Sequence, residues 1–429
     1  MTARLGAIGV FFALRIGCAL ILLKLAASRL SVAGFADFSQ YLAFASLVTL
    51  LAVGGSQNGL IRQVAAARSR HDLEEILAAA AAIWIAASAV LLVLAVVAAG
   101  LIGVVLVGHG GDSAIVVALT AAAVFAGPGQ IRCSMLSGQG RMISSLAIQS
   151  AGLLAGAAGA AVFALRGDPA AAALAFAAGS LVPSVPVLRL ALRRFAWPPV
   201  VALVAQGRQL LRYSFAFGTV AAATPLMLFA LRWQYRADFG GDALGRWLSA
   251  NRISDLSTQL IGLFMLQVFV PHVAQLADGS ARRRFTLICG AGGMAIMALP
   301  LIAFSVAAEP LVRLFLSPSF LPAIPAIRTY MAGDMLRVWT SIAIYSAFAA
   351  GRAERYAALE LAALGSIAVL SLVLMGQGYA SAPQWAYFAT HAAFSAGFLA
   401  LLFVSWRSPA ASRIADTASL TSKISARQL

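Results

Sequence analysis

The chain has 429 residues, of which 61% are apolar and 11% charged, with a formal net charge of +16. A soluble domain carries about 25% charged residues, so this composition excludes a water-soluble globular enzyme and places the chain in a bilayer. In a soluble protein such a surplus of cations would point to nucleic acid. Here it is topological, because Lys and Arg on the cytoplasmic side set the orientation of membrane helices.

Apolar runs of about 20 residues or more, the length that crosses roughly 30 Å of hydrocarbon, follow one another with short gaps. The first half predicts helices over 5–28, 34–60, 77–107, 114–138, 142–166 and 170–192. One early Arg before the first run imitates a secretory signal. That run is too long and has no small-residue cleavage site, so a retained signal-anchor helix is expected. The gap 61–76 holds Arg62, Arg68 and Arg70. A linker over 193–208 carries Arg193, Arg194 and Arg208. The second half predicts helices over 209–236, 243–272, 285–306, 323–349, 354–375 and 383–406. Arg282, Arg283 and Arg284 stand in one gap, and Arg352 and Arg355 at another. The alternate gaps, GHGGDS at 108–113 and GQGYASA at 376–382, contain no cation. That alternation puts both termini in the cytoplasm.

The expected fold is therefore all-α: a polytopic integral membrane protein of about twelve transmembrane helices in two six-helix lobes. The N-terminal lobe covers 1–192, the cytoplasmic linker 193–208 and the C-terminal lobe 209–406. A Ser-, Ala- and Arg-rich tail over 407–429 is expected to be disordered. Residues 307–322 are amphipathic and broken by Pro, which fits a short helix lying at the outer interface. A substrate held between two related bundles is the transporter plan that this spacing matches.

Six cations lie inside the spans: Arg15, Lys24, Arg132, Arg232, Arg252 and Arg337. An Arg or Lys at a helix centre costs about 2.5–3.5 kcal/mol to insert unless a polar cavity or a partner receives it. Tyr330, Asp334, Arg337, Ser341 and Tyr345 recur at steps of three and four and form one stripe. Asp334 and Arg337 are spaced to pair at i,i+3, and Arg252, Asp255 and Gln259 share a second face. Two readings stand side by side: self-neutralised pairs that hold helices together, or a cavity lining in which the carboxylates orient Arg. Arg15 and Lys24 are nine residues apart, hence on opposite faces of a straight helix. Arg132 follows the Gly127-Pro128-Gly129 break, where reaching the inner headgroups is the competing explanation. Arg236 is read as snorkelling to the surface.

Guanidinium forks bind phosphate oxygens bidentately, so a ladder of these cations suits a phosphate or pyrophosphate headgroup. A carrier of cationic drugs would need the opposite sign. Cys18, Cys133 and Cys289 are far apart, and His71, His109, His272 and His391 lack ligand spacing, so no disulfide framework, metal or other cofactor is expected. No P-loop, catalytic carboxylate pair or nucleophile motif is present, and the short external gaps leave little room for a membrane polymerase or transferase. Gly55-x-x-x-Gly59 and Gly152-x-x-x-Gly156 read as close helix contacts.

Several stretches carry a resemblance: GGSQNGLIRQVA (54–65), LSGQGRMISSLA (136–147), RISDLSTQL (252–260), FVPHVAQL (269–276) and GDMLRVWTSIAIYSAFAAGRAERYAALEL (333–361). With these in order, the sequence resembles the polysaccharide-lipid flippases of the multidrug/oligosaccharidyl-lipid/polysaccharide (MOP) exporter superfamily. Within them it is most similar to the Wzx-type O-antigen and lipid III (enterobacterial common antigen) translocases. The resemblance implies a MATE-like two-lobed transporter of the bacterial inner membrane, not an enzyme. Its cargo would be undecaprenyl-pyrophosphate-linked oligosaccharide, moved from the cytoplasmic to the periplasmic leaflet by alternating access. It implies that Lys24, Arg232, Asp255, Asp334, Arg337 and Glu360 occupy the family's polar positions. It also implies membrane lipid, a glycan polymerase and chain-length machinery as partners, with no nucleic acid, around a monomer. The alternatives are another exporter of the superfamily, such as a lipid II flippase or a drug/ion antiporter, a membrane glycan polymerase or transferase, and a non-transporting scaffold.

Overall fold

The computed structural model describes residues 2–108, 112–187, 200–276, 278–350 and 352–407. Among them there is no strand, and α-helix accounts for nearly the whole. The N-terminal half runs α1 (Thr2–Arg29), α2 (Val32–Ala52), α3 (Gln57–Ala66), α4 (Arg70–Val97), α5 (Ala99–Val107), α6 (Ser113–Phe125), α7 (Gly127–Gly138), α8 (Met142–Leu165) and α9 (Pro169–Gly179). The C-terminal half begins with the long α10 (Val200–Phe264), a π-turn at Met265–Phe269 and α11 (Val270–Gln275). It continues with α12 (Gly279–Val306), α13 (Ala308–Phe315), a 3-10 turn at Pro318–Ala323, α14 (Ile324–Ala349), α15 (Ala353–Gly376) and α16 (Ala382–Arg407). Seven helical segments among the described residues are long and apolar enough to cross a membrane, α6 and α7 counting as one. The chain is a multi-pass membrane protein. α14, with Asp334 and Arg337 in its middle, is not among the seven.

The structure divides several runs that the sequence predicts as single helices. The 34–60 run turns at Val53–Ser56, where Gly54 and Gly55 take positive φ, and its end becomes the separate α3. The 77–107 run breaks at Ala98, and 114–138 at Ala126. Proline chemistry explains the last of these. Pro128 has no N–H for the carbonyl four residues back, and the indole Nε1–H of Trp84 supplies the donor to the Val124 carbonyl at 2.8 Å. Ser184 completes the repair, donating to the Ala126 carbonyl at 3.1 Å and accepting from the Gly129 N–H at 2.9 Å. In the 170–192 run, helix is interrupted by turns at 180–184 and resumes over 185–187, and 188–192 lies outside the described residues. The same is true of 193–199 within the expected linker, whereas 200–208 is already helical. The tail from 408 also lies outside them.

α10 is two helices joined end to end at Gly240, whose φ of 85° only glycine adopts without strain. Its first arm climbs to Phe239 and its second returns from Gly241. The helices α1, α2, α8 and α9 pack on one another, as do α12, α14, α15 and α16, and α2 lies along α10. That seam joins the two halves. The sequence-derived packing motif is realised in the first half: a Cβ on Gly156 would stand 2.6 Å from the Phe176 carbonyl, and one on Gly179 would stand 2.3 Å from Gly156 Cα. The amphipathic 307–322 segment forms α13 and the 3-10 turn, with Val312, Leu316 and Phe320 fully buried.

Candidate functional site

A cavity of about 540 Å³ lies between the two halves. One wall comes from α1 and α2, with Leu153 and Phe176 beside them, and the other from the two arms of α10. Among the described residues, Arg15, Arg232 and Arg252 line it, against the single carboxylate of Asp255. Gln259 lies on the same wall as Arg252 and Asp255, as their spacing on one face predicts. The site is thus three cations to one anion in a largely apolar enclosure.

The three Arg are held differently. Arg15 is exposed to the cavity. Arg252 approaches Asp255 at 3.8 Å and the Ser39 carbonyl at 3.4 Å, both long for a guanidinium, and the pair stays about a third exposed. Arg232 is 6% exposed and its hydrogen-bond partners are neutral amides: Nη1 donates to Gln40 Oε1 at 3.2 Å and Nη2 to Asn251 Oδ1 at 3.3 Å. Its Nε is buried without a partner. Asn251 in turn donates to Asp255 Oδ1 at 3.1 Å. A relay therefore runs Gln40–Arg232–Asn251–Asp255, from α2 across the first arm of α10 to the second. A buried charge with only neutral partners remains under-compensated. The cavity consequently offers positive potential that an anion would neutralise.

A second chamber of about 200 Å³ lies inside the C-terminal half, and Asp255 lines both. Arg337, Glu360, Tyr330 and Ser341 face it, so three members of the α14 stripe share one wall as their periodicity predicts. The direct Asp334–Arg337 pair expected from i,i+3 spacing does not form. Tyr387 of α16 stands between them, donating to Asp334 Oδ1 at 2.6 Å and accepting from Arg337 Nη1 at 3.2 Å. Ser254 gives Asp334 Oδ1 a second hydrogen bond at 2.8 Å, while the buried Oδ2 has none. Tyr345, the stripe's last member, packs edge-on against Tyr356. The stripe thus spans both chemistries: part lines a chamber, and part locks α14 to α10 and α16.

The other expected cations lie elsewhere. Lys24 leaves the cavity, and helix geometry is the reason: α1 is one continuous helix, so Lys24 points away from Arg15. Its ammonium sits 2.6 Å from the carbonyls of Arg313 and Leu316, at the C-terminal end of α13, where carbonyls lack helical partners. Arg132 is half-buried on α7 and lines neither chamber. Arg236, read as snorkelling, instead pairs with Asp37 of α2 at 2.6 Å, both side chains under 20% exposed. Sequence reasoning missed Gln40, Asn251, Ser254, Tyr387 and His391. Tyr387 and His391, which both line the second chamber, are one turn apart on α16, which was a usable signal. The amides carried none, since a lone Gln or Asn in a span has no distinguishing pattern.

Residues 11–277 match the family model described as polysaccharide biosynthesis protein. The chain belongs to this family. Among solved structures, this chain is similar to an inward-facing MATE-family multidrug resistance transporter of the MOP superfamily. The two share a TM-score of 0.70 and 13% identity over 93% of this chain and 99% of that one. It is equally similar to the lipid II flippase MurJ in an inward closed conformation, with a TM-score of 0.70 and 12% identity over 95% and 92% of the two chains. A MOP transporter from Pyrococcus furiosus, whose binding pocket is described as of reverse polarity, matches at a TM-score of 0.57 and 12% identity over 94% and 96%. The fold is that of the MOP superfamily. No curated protein matched the sequence.

Proposed function

We propose that this member of the family is a flippase that moves polyprenyl-pyrophosphate-linked oligosaccharide from the cytoplasmic to the outer leaflet of a bacterial inner membrane. An O-antigen or common-antigen repeat unit is the expected cargo class. The observation that carries the reading is the sign of the inter-lobe cavity: Arg15, Arg232 and Arg252 against Asp255 alone. A pyrophosphate matches this in charge and in the bidentate geometry of the guanidinium. The prenyl chain stays in lipid, so only the headgroup and sugars need the polar path.

With both termini cytoplasmic, the contacts of Lys24, Asp37 and Arg236 lie at the outer end, and the cavity loads from the inside. Release requires those contacts to part. An inside-negative potential favours expulsion of an anion by about 2.3 kcal/mol per charge per 100 mV, so transport needs no nucleotide. Exporters of cationic drugs would find the wrong sign here.

The test is leaflet assignment of the lipid-linked glycan in cells whose sole copy is Arg252→Ala or Arg15→Ala. At normal protein levels, accumulation on the cytoplasmic side by tenfold or more is expected. Unchanged export would remove the cavity from the mechanism.

A further inference from the structure

The cationic cavity accounts for the pyrophosphate and leaves the sugars without a place. A third chamber, about 330 Å³, lies within the N-terminal half between α1, α2, α7, α8 and α9. That size falls within the range of small-molecule sites, about 300–1,000 Å³. It is contiguous with the cationic cavity: Arg15, Ser46, Leu153 and Phe176 line both. Among the described residues, Arg15 is its single charged residue and no carboxylate lines it. Its other polar lining is hydroxyl and amide.

Three of the hydroxyls are committed in a particular sense. Ser46 donates to the Leu42 carbonyl and Thr49 to the Ala45 carbonyl, both at 2.8 Å, and Ser180 donates to the Ala177 carbonyl. Each hydrogen is used within its own helix, so the oxygen lone pairs are what these groups offer to the chamber. Gln149 spends one amide hydrogen on Ser145 at 3.2 Å, and Gln130 accepts from Gln57 at 3.5 Å. The amide oxygen of Gln130 is taken by Gln57, and its N–H groups are left to donate, so the chamber offers both acceptors and donors, which suits a neutral guest rich in hydroxyls. The rings of Phe11 and Phe176 border the same space and offer apolar faces to C–H groups. A bare inorganic anion would find a single cation and many lone pairs. A drug cation would find no carboxylate.

We propose that this N-terminal chamber is a saccharide subsite that receives the first sugar of the cargo while Arg15, at the shared wall, holds the adjoining phosphate. The proposal rests on the flippase reading and adds to it an orientation: pyrophosphate between the lobes, glycan turned into the N-terminal half. The subsite makes the chain selective for glycosylated over bare prenyl pyrophosphate.

The full-length protein in lipid nanodiscs would be titrated with farnesyl diphosphate and with farnesyl diphosphate bearing N-acetylglucosamine, glucose or galactose. The native chain is expected to bind at least one glycosylated probe about tenfold more tightly than the bare diphosphate. Thr49→Val keeps the shape of the side chain and removes the oxygen, and Gln149→Met keeps the length and removes the amide. Each is expected to erase most of that preference while leaving affinity for farnesyl diphosphate unchanged, which also certifies folding. Arg252→Ala should weaken every probe alike. No preference in the native chain, or a preference that survives both substitutions, would overturn the subsite and leave the cationic cavity standing. Binding of all probes unaffected by Arg252→Ala would instead overturn the flippase reading itself.

Discussion

At the scale of single residues, the C-terminal half turns on one hydroxyl. Tyr387 both donates to Asp334 and accepts from Arg337, so it replaces the ion pair that sequence spacing anticipates. A buried carboxylate and a guanidinium bridged in this way avoid sharing one rigid contact, and both stay hydrogen-bonded. Tyr387→Phe removes both bonds at once and is expected to cost about 1–3 kcal/mol, read as a lower unfolding temperature in detergent. Asp334→Asn introduced on top should cost less than it does alone, because contacting residues are not additive. An unchanged midpoint for Tyr387→Phe would show that the bridge is not the joint. The identity of the buried ionisable residues was legible, since a cation inside an apolar run announces itself. Their partners were not: Gln40 lies 192 positions from Arg232 and Tyr387 lies 53 from Asp334, and no local periodicity encodes such distances.

At the scale of elements, the all-helical, apolar character of the chain was legible, and the breaks in its runs were legible only where chemistry marks them. Pro128 flags the α6–α7 break, but the sequence does not reveal that Trp84, forty positions earlier, mends the freed carbonyl. Ala98 carries no flag at all. The positive φ of Gly240 makes α10 fold back, although Gly240 and Gly241 looked like one more short gap. Glycines also set how closely α8 and α9 approach, and here the positions separate cleanly. A Cβ on Gly179 would meet Gly156 backbone at 2.3 Å, whereas one on Gly365 of α15 would meet nothing within 4 Å. Gly179→Ala should therefore force the helices apart and destabilise by about 1–3 kcal/mol. Gly365→Ala should be neutral or stabilising by up to about 1 kcal/mol through helix propensity. Thermal unfolding of the two variants with the same sign and size would contradict the packing account.

At the scale of the whole molecule, the halves meet at one end through contacts of different kinds. Arg236 pairs with Asp37, Lys24 caps α13, and Phe35 meets Phe320 edge-on with ring centroids 5.2 Å apart. At the opposite end Gly55 lies against Gly218. The cationic cavity sits between these two sets of contacts. If the first set must part for cargo to leave, a covalent bond across it will stop transport without touching any residue of the cavity. Ala33 and Gly241 face one another there, with a Cβ on Gly241 falling 3.2 Å from Ala33 Cβ. That is just under the usual Cβ separation of a disulfide, about 3.5–4.5 Å, so a small shift admits the bond. In a chain whose Cys18, Cys133 and Cys289 have been replaced by Ser, the pair Ala33→Cys and Gly241→Cys should crosslink under mild oxidation. Glycan transfer to the outer leaflet should then fall at least tenfold and return on adding dithiothreitol, with each single-Cys chain unaffected. Transport that continues in a fully crosslinked population would mean that this end stays shut throughout the cycle, and the exit would have to lie elsewhere.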